Sequence, residues 1–218
     1  MKSLAEARLY AILDLGYIAI DQAESVAKAL LEGGADVLQL RGKRESISTL
    51  ATLAERLHPV TSAAEVPLII NDHPEIARDV PVEGLHLGQD DLPIAEAREI
   101  VGRACWIGKS THGLIQAWNA AREGADYIGF GPIFTTPTKP NSAPLGTNGI
   151  RRAHELNLRP IFCIGGIKLS NLPEVLRAGA KRVAIVSGLL QSADVAAATQ
   201  EAKVLLDTIP LPSTRSVS

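Results

Sequence analysis

Five charged side chains stand where short apolar runs give way to polar residues. Arg41 and Lys43 follow the run at 37–40 in QLRGK, and Lys139 ends GPIFTTPTK after the run at 127–130. Asp72 follows the run at 68–70 in NDH, and Asp91 follows 85–87 in GQDD. Arginine presents a planar fork to phosphate oxygens and lysine a mobile point charge, so these cations can surround an anion of more than one charge. Carboxylates from adjacent strands can approach one cation. Mg2+ takes one or two carboxylates and fills its shell with phosphate oxygens and water. The economical chemistry is a diphosphate bridged by Mg2+ between Asp72 and Asp91 on one side and Arg41, Lys43 and Lys139 on the other. Plainer roles compete with it. Arg41 with Asp72 could be a rim salt bridge. Asp90 beside Asp91 could be a solvated turn or the cap of a helix beginning near Pro93. Of that pair, Asp90 is expected in solvent.

A second signal stands further along the chain. Gly165-Gly166 follows the run at 160–164, and Ser187-Gly188 follows the run at 182–186. Glycine lets a backbone approach a ligand closely, and N–H groups at the ends of the last two strands of an α/β barrel commonly hold a monophosphate. The histidines carry less. His112 alone reads as a structural hydrogen-bonder and His86 follows a core pattern, while His58 and His154 lie on helical segments. Cys105 and Cys163 sit in the apolar runs ACWIG and IFCIG, without the spacing of a metal-ligand pair. Both are expected in the core, which fits a reducing, cytoplasmic setting.

Elements that could position these residues follow from the patterning. Apolar runs at 9–13, 37–40, 68–70, 85–87, 106–108, 127–130, 160–164 and 182–186 read as strands buried on both faces. Segments with helical spacing lie at 23–32, 46–58, 94–101, 115–123, 172–178 and 195–206. Glycines 34, 124 and 179 suit left-handed helix ends just before strands. Eight strands alternating with helices predict a parallel (β/α)8 TIM barrel, in which every polar strand end meets on one rim. A flavodoxin-like open sheet is the alternative and needs fewer strands. One domain is expected over 1–208, with a frayed tail at 209–218. The Pro-, Thr- and Gly-rich stretch at 131–149 is long enough to be functional.

The 218 residues are 46% hydrophobic, enough for one large core, and carry a net charge of −2. That balance argues against nucleic acid or an anionic membrane surface as partner. No apolar run is long enough to span a membrane, and the N-terminus lacks a secretory pattern. The expected partners are small phosphorylated molecules. Homo-oligomerisation is left open.

Taken together, these residues resemble the thiamine-phosphate synthase family. The resemblance covers LYAILD to IVSGL, with QLRGK, IINDH, GLHLGQDD, IGKSTH, YIGFGPIFTTPTK, CIGGI and VAIVSG in the family's order. It implies a transferase that joins a hydroxymethylpyrimidine diphosphate to a thiazole phosphate, releasing pyrophosphate and requiring Mg2+. By that resemblance Gln39, Arg41 and Lys43 hold the pyrimidine diphosphate with Asn71, Ser110 and Lys139, and Arg41, Lys43 and Lys139 are the catalytic cations. Asp72 and Asp91 are the metal ligands, Asp91 being the fourth residue of GQDD. Thr136, Pro137 and Thr138 contact the thiazole phosphate, with Gly166, Val186 and Ser187 at its phosphate end. The chain departs from the family pattern in lacking a basic residue just after Asp14 and in carrying Lys109 and Gly113 within GKSTHG. The resemblance further implies that diphosphate departs before the thiazole nitrogen attacks. Two rival activities remain on the same fold: a thiazole tautomerase using His112, and a sugar-phosphate isomerase or epimerase needing an acid–base pair across the barrel.

Overall fold

A computed structural model describes residues 1–136, 143–156 and 159–210. Its strands are β1 (Leu9–Asp14), β2 (Val37–Arg41), β3 (Leu68–Asn71), β4 (Gly84–Leu87), β5 (Trp106–Thr111), β6 (Tyr127–Phe130), β7 (Ile161–Ile164) and β8 (Val183–Ile185). All pair in parallel with their sequence neighbours, and β1 pairs with β8 in the register Tyr10↔Ala184, closing the barrel. The (β/α)8 barrel is therefore the fold, and the open sheet is not. Among the described residues no helix is long and apolar enough to cross a membrane.

The helices are α1 (Ala23–Glu32), α2 (Ile47–Ala63), α3 (Pro74–Asp79), α4 (Ile94–Val101), α5 (Leu114–Arg122), α6 (Ile150–Leu156), α7 (Leu172–Arg177), α8 (Ser187–Leu190) and α9 (Val195–Asp207). The patterning does not reveal α3, α6 and α8. It also ends the second helix at His58, before Pro59. Instead α2 continues to Ala63 with Pro59 inside it. Proline removes one helical hydrogen bond, but buried Leu57 and Thr61 on either side keep the helix against the barrel. At the start of α2, Ser46 Oγ accepts from the Thr49 N–H at 3.1 Å, the N-cap arrangement that satisfies a first-turn donor.

Each strand divides its residues between two cores. Leu9, Ala11, Leu13, Leu38, Leu40, Leu68, Ile70, Leu85, Leu87, Ile128 and Val183 belong to the layer between sheet and helices. Tyr10, Ile12, Val37, Ile69, Tyr127, Phe162 and Ala184 fill the barrel interior. Side chains alternate faces along a strand. The parity that turns Val37 inward therefore carries Gln39 and Arg41 upward on the same face, and Ile69 is followed by Asn71. Paired registers Gln39↔Ile69, Asn71↔His86 and Ser110↔Gly129 bring these polar residues into the same upper layers. The strands extend further at this end than the apolar runs do, because Asp14, Arg41, Asn71 and Thr111 still pair in the ladder.

The opposite end is a structural closure. Buried Asp36 accepts from the N–H groups of Arg8 (2.9 Å) and Leu9 (3.0 Å) and pairs with Lys2 and Lys203. Ile209, expected in a frayed tail, donates to Leu206 O at 3.1 Å and packs against the core; residues 211–218 lie outside the described residues. Both cysteines are buried and free, with burial pushing the thiol of Cys105 up to about 11 and that of Cys163 to about 12.

Candidate active site

One cleft opens at the C-terminal ends of the strands. Its floor includes Gln39, His86 and Ser110; Arg41, Lys43, Asn71 and Asp72 line one side, and Gly165, Gly166, Val186 and Ser187 another. Thr136 also lines it. Ten residues expected at the site from the sequence therefore surround a single space. Asp91 reaches the same rim through Gly88, whose N–H donates to Asp91 Oδ2 at 2.6 Å. Pro137, Thr138 and Lys139 lie outside the described residues, so their expected roles stay with the sequence.

The ion pairs differ from the rim salt bridge weighed above. Arg41 pairs with Asp14 at the end of β1, and Lys43 pairs with Asp72. Asp14 is buried, and its other oxygen accepts from the Gly16 N–H at 2.9 Å. A guanidinium held this way has a restricted direction, which favours a preorganised contact to a bound anion. Sequence reasoning passed over Asp14; its place at the end of LYAILD, in register with Arg41, was the available signal.

Asp72 and Asp91 form an acid pair. Burial pushes the Asp72 carboxyl up, Lys43 opposes that, and neighbouring Asp91 adds to it, leaving the net value raised. For Asp91, burial also pulls upward, but hydrogen bonds with Asp72 and the Gly88 N–H, with the charges of Lys43 and Lys109, outweigh it and lower the value. The two carboxyls are therefore pushed in opposite directions, Asp72 up and Asp91 down. Its backbone lies at φ 68°, a left-handed conformation that Asp and Asn adopt more readily than other non-glycine residues. Asp72 N–H donates to His86 O at 2.8 Å, which fixes that turn. Asp90 is exposed, as expected, and neither aspartate caps α4, whose N-cap position is Pro93. Lys109, one of the departures from the family pattern, is buried at 7% exposure and supports Asp91 by charge.

Across the cleft, the glycine pair has two reasons to be glycine. Gly165 and Gly166 lie at φ 99° and 66°, and a Cβ on Gly166 would stand 2.7 Å from both Phe134 Cβ and Thr135 O. The loop after β7 thus packs directly against the loop after β6. Asn171 clamps it, donating to Gly166 O at 2.9 Å and accepting from the Lys168 N–H at 2.8 Å. Ser187 and Gly188 begin α8, and the first N–H groups of a helix lack intrahelical partners.

His86 is buried and hydrogen-bonded to its neighbours, as its core pattern predicts. It nevertheless lines the cleft and lies 2.9 Å from Ser110 Oγ through Nε2. His112 also lines the cleft, with Nδ1 2.6 Å from Gly131 O, so that nitrogen carries the proton and links β5 to the loop after β6.

A family model described as thiamine monophosphate synthase matches residues 9–189. The chain belongs to that family. Among this family's proteins it is 42% identical to the thiamine-phosphate synthase of Chloroflexus aurantiacus over 200 residues, covering 91% of this chain and 92% of that protein. It is 43% identical to that of Halalkalibacterium halodurans over 190 residues, covering 86% and 90%. In three dimensions it is similar to thiamine phosphate pyrophosphorylase from Pyrococcus furiosus, with a TM-score of 0.85 and 30% identity over 94% of this chain and 98% of that one. Family membership agrees with a cleft whose two sides each present groups for an anion.

Proposed function

We propose that this chain is a thiamine-phosphate synthase, a transferase that joins 4-amino-2-methyl-5-(diphosphooxymethyl)pyrimidine to 4-methyl-5-(2-phosphoethyl)thiazole. The products are thiamine phosphate and pyrophosphate, and the setting is thiamine biosynthesis in the cytoplasm. The observation that carries the reading is one cleft with unlike groups on its two sides. Arg41, Lys43 and the acid pair suit a diphosphate with its metal, while the Gly165-Gly166 loop and the start of α8 suit a monophosphate.

The donor set fits Mg2+. Among the described residues no three His, Cys, Asp or Glu side chains converge as a closed metal cage. Two adjacent carboxyls are instead suited to a hard cation that also takes phosphate oxygens and water. Asp72 and Asp91 would hold it, and when bound it would supply Lewis-acid stabilisation of the diphosphate.

The residues of the chain account for the remaining demands. Arg41, directed by Asp14, and Lys43 stabilise the negative charge that builds on the departing diphosphate, and Lys139 joins them. Gln39, Asn71 and Ser110 hold the pyrimidine. Thr136, Pro137 and Thr138 with Gly166, Val186 and Ser187 hold the thiazole phosphate, which orients the ring nitrogen toward the electron-poor methylene. That nitrogen carries no proton, so no general base is required. The epimerase reading fits less well, because Asp72 and Asp91 stand together rather than on opposite sides of the barrel. The test is direct. Purified protein with both substrates and Mg2+ should form thiamine phosphate and stop when Mg2+ is chelated; no product under those conditions would remove the proposal.

A further inference from the structure

The cleft floor is more polar than its packing requires. Tyr10 and Tyr127 are 2% and 0% exposed, and their rings meet Phe162 edge-on at centroid distances of 5.2 and 5.8 Å. Phenylalanine could fill the same space. A Cβ on Gly108 would stand 2.1 Å from Tyr127 Cζ, so β5 gives up a side chain where that ring lies. A hydroxyl withdrawn from water destabilises the fold unless it finds partners. Both hydroxyls find them in one unbroken chain through five strands. Gln39 Nε2 donates to Tyr10 Oη at 2.8 Å, and the two tyrosine hydroxyls lie 2.9 Å apart. Tyr127 Oη is 3.1 Å from His86 Nδ1, and His86 Nε2 is 2.9 Å from Ser110 Oγ.

The number of protons imposes an order on this chain. Burial raises both phenols above their ordinary value, so each keeps its single proton and donates once. With Gln39 donating, Tyr10 donates to Tyr127, Tyr127 to His86 Nδ1, and His86 Nε2–H to Ser110. Gln39 then turns its carbonyl oxygen to the cleft, and Ser110 its hydroxyl proton. Reversing every link exchanges the two roles. With a neutral imidazole the links run in one direction along the whole chain, so the amide orientation at Gln39 and the hydroxyl proton at Ser110 are set together.

We infer that Tyr10 and Tyr127 are positioning residues that tie Gln39 and Ser110 into one unit, so that the Gln39 carbonyl oxygen and the Ser110 hydroxyl proton are turned to the cleft together. The ring read this way carries both an N–H donor and a ring-nitrogen acceptor, as an aminopyrimidine does. A ring that only accepts leaves one end of the chain unpaired. This inference rests on the proposed coupling function and adds how its pyrimidine is recognised.

Tyr127→Phe and Tyr10→Phe keep the rings and remove one link each. In both variants kcat/KM for the pyrimidine diphosphate should fall about tenfold or more, with KM for the thiazole phosphate changed by less than about twofold. A second readout needs no substrate. The 15N shifts of the His86 imidazole should show a different tautomer balance in Tyr127→Phe, which removes the partner of Nδ1 and leaves that of Nε2. Unchanged pyrimidine kinetics, equal damage to both substrates, or an unaltered His86 tautomer would overturn the inference. If the unsubstituted protein does not couple the substrates, the proposed function fails instead. The His86 spectrum and the affinity for the pyrimidine diphosphate alone would still decide the role of the chain.

Discussion

Replacing Asp72 by Asn separates a metal ligand from a structural rim residue. Asn is the informative choice because Asp72 lies at φ 68°. Alanine there would add a backbone penalty of about 1–2 kcal/mol that has nothing to do with metal. Asn keeps the shape and can donate to Asp91 through its amide. It loses the pair with Lys43, whose side chain is 52% exposed, and an exposed pair is worth about 0.2–1 kcal/mol. It also removes repulsion within the acid pair. Two unit charges about 4 Å apart repel by about 1 kcal/mol in water and about 4 kcal/mol at an effective dielectric of 20, and the Lys43 charge offsets part of this. The net change without metal is therefore near zero or about 1 kcal/mol stabilising. Tm should hold or rise by no more than about 4 °C. With Mg2+ and pyrophosphate the sign reverses. A ligand at 100 times its Kd stabilises by about 2.7 kcal/mol, and a tenfold weaker site halves that. Thermal unfolding over a Mg2+ titration should therefore show about half the parent's shift, and coupling should slow by about 100-fold, equivalent to about 2.7 kcal/mol of barrier. A fall in metal-free Tm of more than about 5 °C, or an undiminished Mg2+ shift, would refute the reasoning.

Asp14→Asn should leave Arg41 without its ionic partner and cut kcat/KM for the pyrimidine diphosphate by about tenfold; steady-state kinetics with each substrate varied would check this, and an unaltered value would make the Asp14–Arg41 pair purely structural. Gly166→Ala forces a side chain into a left-handed turn and against Phe134 and Thr135, so it should destabilise by about 1–3 kcal/mol in urea unfolding and raise KM for the thiazole phosphate more than for the pyrimidine substrate. His154 is held down to about 4, first by burial and then by Arg182 and Lys181. Below pH 6.5 the unfolded chain therefore binds a proton that the folded chain refuses, and stability should be lost as pH falls from 6.5 toward 4, by up to about 3 kcal/mol. His154→Gln should flatten that part of the stability profile, and an identical slope in the variant would contradict the assignment.

Much of the site was legible because a parallel barrel makes strand ends and function coincide. Once QLRGK, NDH, GQDD and CIGG stood at the ends of apolar runs, Arg41, Lys43, Asp72, Asp91 and Gly166 were placed near one another without any knowledge of contacts. His86 was read correctly as a core residue, but its place in the cleft lining was not legible. A strand buried on both faces reads as a continuous apolar run, and such a run carries no alternation to reveal which residues turn inward. HLG therefore looked like core, although its parity puts His86 on the cleft floor.

The sequence by itself determined the barrel, the rim and the residue types available there, because periodicity and polar strand ends are local properties of the chain. Only the closed structure decided the partners. Arg41 turns to Asp14 rather than Asp72, Lys43 takes Asp72, and Tyr10 meets Tyr127 across 117 positions of sequence. Those choices depend on strand register and on the β1–β8 closure, which bring side chains together through space. No local pattern records them.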